Sequence, residues 1–350
     1  MNESSKFYYL FFLFIIFALL TSCTTVSYET VYPTLKDGKY DSEFPYRGSS
    51  EELETISQSV KRINSTCFYK TYIFKESDGI TLKNIQDRSL EDIAVETGFA
   101  DQSSAGTGTI IYYWAGKVAL LTCAHVVNYP DTVISFVADT DGNPTDFIET
   151  ILVKSKQSVY VAGFPEGSNL EILAIDKKND LALIGRNYYS TTNYIFPVLN
   201  YPLGKSKELE WGSFVYIFSY PMNFQMITKA LVSSPNLDDK GSFILDAVIN
   251  KGSSGGIVLA IKDGVPNFEL VGIIQWAPGD ANNIIAPEKR KGSETYNSIL
   301  PYKGKLFVKR NLDIKYGIAK VIPVSAISDF IEQNSVALKK HGYYLEKFAE

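Results

Sequence analysis

Imidazole is scarce in this chain: of 350 residues only His125 and His341 are histidine. A reaction that needs a neutral-pH proton acceptor of this kind therefore has two candidates. Cysteine is nearly as rare, and Cys23, Cys67 and Cys123 beside two histidines make a poor ligand set for a metal. Neither sign of charge prevails. Lys+Arg 34 against Asp+Glu 39 leaves a net charge of -5, so no basic footprint points to nucleic acid. Internal repeats and low-complexity tracts are absent. Only one long apolar run occurs, residues 7–20, and it is short for a membrane span.

What is present is the composition of an ordinary globular protein, 45% hydrophobic and 21% charged, with length for one large or two small domains. Tyr 23 and Phe 21, with many Val and Ile, favour strands over helices. Lys6 followed by the apolar run reads as a secretory signal covering residues 1–22. The run closes in Leu20-Thr21-Ser22-Cys23, which resembles the lipobox of bacterial lipoproteins and implies acylation of Cys23. An uncleaved anchor and a plain signal peptide are the alternatives, and all three place the rest outside the cytoplasm.

Residues 23–48 read as a tether of Tyr, Pro, Gly and charges without a sustained period. Ser49 with Glu52 has the spacing of a capping box, and Leu53, Ile56, Val60 and Ile63 follow on one helical face. Residues 67–74 have the content of a first strand, and 75–104 read as a long loop with a short helix. Short strands are then expected at 108–114, 117–127, 133–137, 159–162, 170–175 and 181–184. A second set is expected at 214–218, 226–232, 243–247, 256–261, 270–276 and 317–321. Two sets of six predict an all-β protein of two antiparallel barrels, with a short N-terminal helix and a C-terminal helix. The domains are then 49–190 and 191–350.

Three motifs carry chemistry. In Gly252-Ser253-Ser254-Gly255-Gly256 the glycines allow a tight turn that presents Ser254 and bares the amides of Gly252 and Ser254 as oxyanion donors. His125 ends an apolar strand and could take the serine proton; Asp180, opening residues 180–184, could orient that imidazole. Each motif alone also reads as structure: a Gly/Ser turn, a satisfied core histidine, a turn aspartate. Their order in the chain, His125, Asp180, Ser254, is that of the chymotrypsin-type triad.

With these residues in view, the chain resembles the trypsin-like serine proteases. Thr122-Cys123-Ala124-His125 is similar to their Thr-Ala-Ala-His, Asp180-Leu181-Ala182-Leu183 to their Asp-Ile-Ala-Leu, and residues 252–256 to their Gly-Asp-Ser-Gly-Gly. Gly106-Thr107-Gly108-Thr109-Ile110-Ile111 and Thr122 to Val127 are closest to the HtrA/Deg branch of bacterial envelope proteases. The resemblance implies that Gln275, Trp276 and Ala277 pair with the substrate backbone, and that Val248 and Ile249 line the primary pocket. An apolar pocket favours small or branched aliphatic side chains before the cut. It also implies polypeptide substrates and no cofactor, and trimers common among such relatives leave a homo-oligomer open.

The chain departs from the family in three places. Ser253 stands where digestive members carry an aspartate, no PDZ-like stretch follows the final helix, and residues 278–310 form a long basic insertion, read as a solvated loop. Cys67 and Cys123 lie on expected strands, and a bridge between them is open. Two other readings remain: a catalytically silent binding lipoprotein on the same scaffold, and an α/β-hydrolase elbow at Ser254 served by His341.

Overall fold

The computed structural model describes residues 33–86, 88–165, 169–189, 194–276, 279–287, 301–314 and 317–348, with isolated positions 12, 31 and 299. Helix α1 (Ser50–Ser59) leads into β1 (Val60–Ile73), a short α2 (Leu90–Ile93), β2 (Glu96–Trp114) and β3 (Lys117–Cys123). A one-turn helix α3 (Ala124–Val127) follows, then β4 (Thr132–Ala138), β5 (Pro144–Val161), β6 (Glu171–Asp176) and β7 (Leu181–Asn187). The second half carries β8 (Phe214–Ser219), β9 (Met226–Ser234), β10 (Phe243–Leu245), β11 (Ile257–Ile261) and β12 (Phe268–Trp276). It ends in β13 (Gly279–Pro287), β14 (Leu306–Ile314), β15 (Ala319–Pro323) and helix α4 (Val324–Lys340).

The strands pair as the composition predicts, in two antiparallel units. The first is a seven-stranded sheet in the order β4-β5-β1-β2-β3-β7-β6, a curled half-barrel where a six-stranded barrel was expected; the second is a closed six-stranded barrel, β10-β15-β12-β11-β8-β9. No parallel ladder joins the named strands, so the α/β-hydrolase reading has no sheet to stand on. His341, the base it needs, caps α4, where its carbonyl accepts from Lys117 Nζ at 2.6 Å.

Strand β8 shows why its sequence lacks polar alternation. Val215 and Ile217 point into the barrel with Val258, Ala260, Val271 and Val321. Phe214, Tyr216 and Phe218 belong to a second core with Ile257, Leu259 and, from α4, Ile327 and Phe330. Both faces are covered, so every position of β8 is apolar or hydroxylic. Helix α4 ends at a glycine in the left-handed region: Gly342 N–H donates to Lys339 O (2.8 Å) and Tyr343 N–H to Leu338 O (2.9 Å), closing the last turn.

Four expectations are corrected. Helix α1 stops at Ser59, because Val60 and Ile63 are buried as the start of β1, and Ser49 makes no side-chain cap. The loop expected through 104 ends by residue 95; β2 already pairs with β1 from Glu96, and its polar first half gave no apolar period to detect. The strand expected through 127 ends at Cys123, and α3 takes its last four residues. The basic insertion is a β13–β14 hairpin within the described residues rather than a loop.

The far end of the stretch read as a tether is docked on the barrel. Asp41 N–H donates to Ile261 O (2.9 Å), Phe214 N–H to Asp41 O (2.7 Å), and Tyr40 Oη to Glu269 Oε2 (2.6 Å). Cys67 and Cys123 are free and buried in separate clusters. No described helix is long and apolar enough to cross a membrane. Residues 7–20 and Cys23 lie outside the described residues, apart from position 12.

Candidate active site

Sheet register brings His125 and Asp180 together. The β3–β7 ladder closes on the pair Cys123↔Leu181, so the chain leaving β3 meets the chain entering β7. One further backbone bond, Ala124 N–H to Asp180 O at 3.0 Å, extends the contact. Turning into α3 then carries His125 over Asp180. The carboxylate accepts twice from it: His125 N–H to Oδ1 at 2.9 Å and Nδ1–H to Oδ2 at 2.8 Å. Asp180 holds φ 59, a left-handed conformation that aspartate tolerates better than most residues. Because a carboxylate only accepts, the ring proton sits on Nδ1 and Nε2 is left as the basic nitrogen. The Asp180 side chain is 18% exposed and that of His125 46%, so the less exposed partner orients the accessible one.

The serine turn lies between β10 and β11, pinned on both flanks. Ser254 O accepts from Thr107 N–H (2.8 Å) in β2, Gly255 N–H donates to Ile274 O (2.8 Å), and Ile274 N–H donates to Gly256 O (2.7 Å). Gly255 (φ 84) has no room for a side chain: a Cβ there would lie 2.1 Å from Thr107 O. Gly252 (φ 99) is constrained in the same way, with Tyr220 O 2.4 Å from the Cβ position.

Two peptide planes of this turn face their amides outward. Lys251 O accepts from Met222 N–H at 2.8 Å and Ser253 O accepts from Gly256 N–H at 2.9 Å. In a trans peptide the N–H points opposite to the C=O, so the amides of Gly252 and Ser254 are turned away from these tethers. Neither donates to an acceptor among the described residues. Two free N–H groups on one turn beside a serine can stabilise a developing oxyanion.

His125, Gly252, Ser253 and Ser254 line one cleft of about 540 Å³. Ile249 and Ile274 form apolar wall, and Ser103 to Ala105 of β2, Met222, Asn223, Asn250 and Lys251 complete the lining. Val248 is not brought in; it is 69% exposed at the surface, whereas Ile249 is 3% exposed. Gln275 follows Ile274 in β12, which Trp276 ends; Ala277 lies outside the described residues. Ser103 to Ala105 were missed because their strand is polar. Met222 and Asn223 were missed because a Tyr-Pro-Met-Asn turn carries no catalytic signature.

Cys123, His125 and Asp180 also place three donor atoms within 4.8 Å of one another. The set does not suit a metal. Cys123 Sγ donates to Ile274 O at 3.2 Å, and burial, helped by the Asp180 charge, raises the thiol pKa, so no thiolate is offered. The Nδ1 of His125 is already committed to Asp180.

An antiparallel two-unit fold with an oriented histidine, a serine on a glycine turn and free amides on that turn is an arrangement suited to serine-nucleophile hydrolysis. Residues 106–273, just under half of the chain, match the family model of the trypsin-like peptidase domain, which supports a trypsin-like serine protease. No curated protein matches the chain. Among solved structures, it is similar to an HtrA-type protease with a decapeptide, with TM-score 0.44, 16% identity, and 85% of this chain and 68% of that one covered. It is also similar to the Rv3671c protease in its inactive form, with TM-score 0.39, 13% identity, and 80% and 91% covered.

Proposed function

We propose that the protein is a serine endopeptidase of HtrA-like character that cuts polypeptides through Ser254, His125 and Asp180. Ser254 Oγ attacks the scissile carbonyl while His125 Nε2 takes its proton and then returns it to the leaving amine. Asp180 holds the tautomer and stabilises the imidazolium. The tetrahedral oxyanion is received by the N–H groups of Gly252 and Ser254. The observation that carries this reading is the serine turn itself, with both carbonyls tied back and both amides free beside His125.

Ile249 and Ile274 favour a small or branched aliphatic side chain before the cut, and Lys251 at the cleft disfavours a basic one. Faster cleavage after Arg than after Val would remove this preference. The chain is tethered to a bacterial envelope membrane through acylated Cys23 and works outside the cytoplasm, a reading supported by Leu20-Thr21-Ser22-Cys23 behind the apolar run. Cys23→Ala should release the protein into the soluble fraction.

The deciding experiment is labelling of the purified full-length chain with a fluorophosphonate. Modification at Ser254, lost in Ser254→Ala, is the expected result. A folded wild type that never labels would favour the silent binding scaffold.

A further inference from the structure

One buried side chain at the junction of the two units has no part in the mechanism above. Thr107, in β2, is 0% exposed, and all its polar groups engage the serine turn or its supports. Its N–H donates to Ser254 O at 2.8 Å, and its carbonyl accepts from Thr122 Oγ1 at 2.7 Å. Its Oγ1 donates to Gly252 O at 2.7 Å and accepts from Tyr220 N–H at 2.9 Å.

These contacts bear on Gly252, a residue of the turn with no side chain to limit its torsions. Gly252 sits between two peptide planes, and the first determines where its own N–H points. That plane is held at Lys251 O by the Met222 amide, in a surface turn where Met222 (φ 51) and Asn223 (φ 70) are both left-handed. The second plane is held at Gly252 O by the Thr107 hydroxyl and at Ser253 N–H by Asn250 O (2.9 Å). Without the hydroxyl the second plane keeps only its local bond to Asn250, within the same turn, and glycine's torsional freedom lets the N–H drift out of the hole. The Met222 pin is backbone in a strained turn, whereas the Thr107 pin is a side chain rooted in the other unit.

We infer that Thr107 is a positioning residue for the oxyanion hole: its hydroxyl, anchored in the first sheet, holds the Gly252 peptide in the orientation that keeps the Gly252 N–H available. The inference rests on the reading of Gly252 and Ser254 as oxyanion donors. It makes the hole a joint product of both units, since the donors belong to the barrel and the pin to the sheet. A hydroxyl that only satisfied two buried groups would affect stability and leave the chemical step alone.

The test compares full-length wild type, Thr107→Val and Thr107→Ser on a quenched-fluorescent peptide with valine before the cut. Thr107→Val keeps the shape and loses the hydroxyl; Thr107→Ser keeps the hydroxyl. For Thr107→Val we expect kcat to fall about tenfold to a hundredfold with KM within about twofold, since one misaligned oxyanion donor acts on the transition state. Binding of a peptide boronate, whose tetrahedral adduct fills the hole, should weaken by a similar factor. Thr107→Ser should recover kcat to within about threefold. If Thr107→Val does not fold, Thr107→Cys, with its weak donor, should still show a reduced kcat. Wild-type kcat in the folded hydroxyl-deficient variant, or Thr107→Ser as slow as Thr107→Val, overturns the inference alone. A wild type with no Ser254-dependent turnover overturns the triad reading, and this one with it.

Discussion

The two units use the same kind of strand to different ends. In the barrel the strands are short, 3 to 9 residues, and closure leaves no edge. In the first sheet β1, β2 and β5 run 14, 19 and 18 residues, well past the main core. Their far ends bury only satellite clusters, such as Tyr72, Phe74, Ile80, Ile148 and Ile151. The cleft lies where the sheet's β3 and β7 ends meet the barrel's serine turn, and it shares no residue with that satellite cluster. Closure supplies the seat for the turn that carries Ser254, while the sheet supplies the His125–Asp180 pair and an arm with its own small core.

This contrast can be broken at the site first. Ser254→Ala should lower turnover by about 10⁴- to 10⁶-fold and leave the circular dichroism spectrum and melting unchanged. Asp180→Asn should follow at about 10⁴-fold, because the amide no longer fixes Nδ1–H and the wrong ring nitrogen is presented to the serine. A near-native rate for Asp180→Asn would mean that the 2.8 Å bond to His125 is structural only.

Core substitutions sharpen the difference between barrel and arm. Phe268, 1% exposed and edge-on to Tyr216 at 6.0 Å, belongs to the main core, so Phe268→Ala should cost about 3–5 kcal/mol in urea unfolding and take activity with it. Ile148, also 1% exposed, sits in the satellite cluster. Ile148→Ala should cost about 2 kcal/mol, speed amide exchange in the arm, and leave kcat within about twofold. Equal loss of activity in both variants would show that arm and site unfold as one.

The smallest effect concerns the docked N-terminal stretch. Burial, reinforced by Glu43, Asp263 and Asp37, pushes the Asp41 carboxyl up to about 6, while the Gly264 amide partly offsets this. A folded-state value above the unfolded one gives stability that is present at acid pH and lost as pH rises through about 6. Asp41→Asn should therefore raise the melting temperature by about 2–4 °C at pH 8 and leave it unchanged near pH 4. The opposite pH trend would show that the Gly264 contact outweighs burial.

Much of the site was legible because catalysis restricts residue type. Only two histidines exist, and only His125 comes at the end of an apolar run and is followed in order by an aspartate and a serine in a glycine turn. Strand identity was legible where burial imposed a pattern, as in β8, and lost where exposure removed it, as in the first half of β2. The misread end of α1 has the same cause: Val60 and Ile63 suit a helical face as well as a strand, and pairing with β2 decides between them.

By itself the chain determined the all-β character, the candidate triad and the need for glycine around Ser254, since local geometry and chemistry leave few residues able to serve. Tertiary structure decided the rest. It joined His125 to Asp180 through the β3–β7 register, turned Val248 outward, and brought Thr107 and Met222 against a turn more than a hundred and about thirty residues away in the chain, respectively. Peptide orientation at Gly252 depends on those long-range bonds, and no local pattern encodes a carbonyl's partner when that partner arrives from another strand.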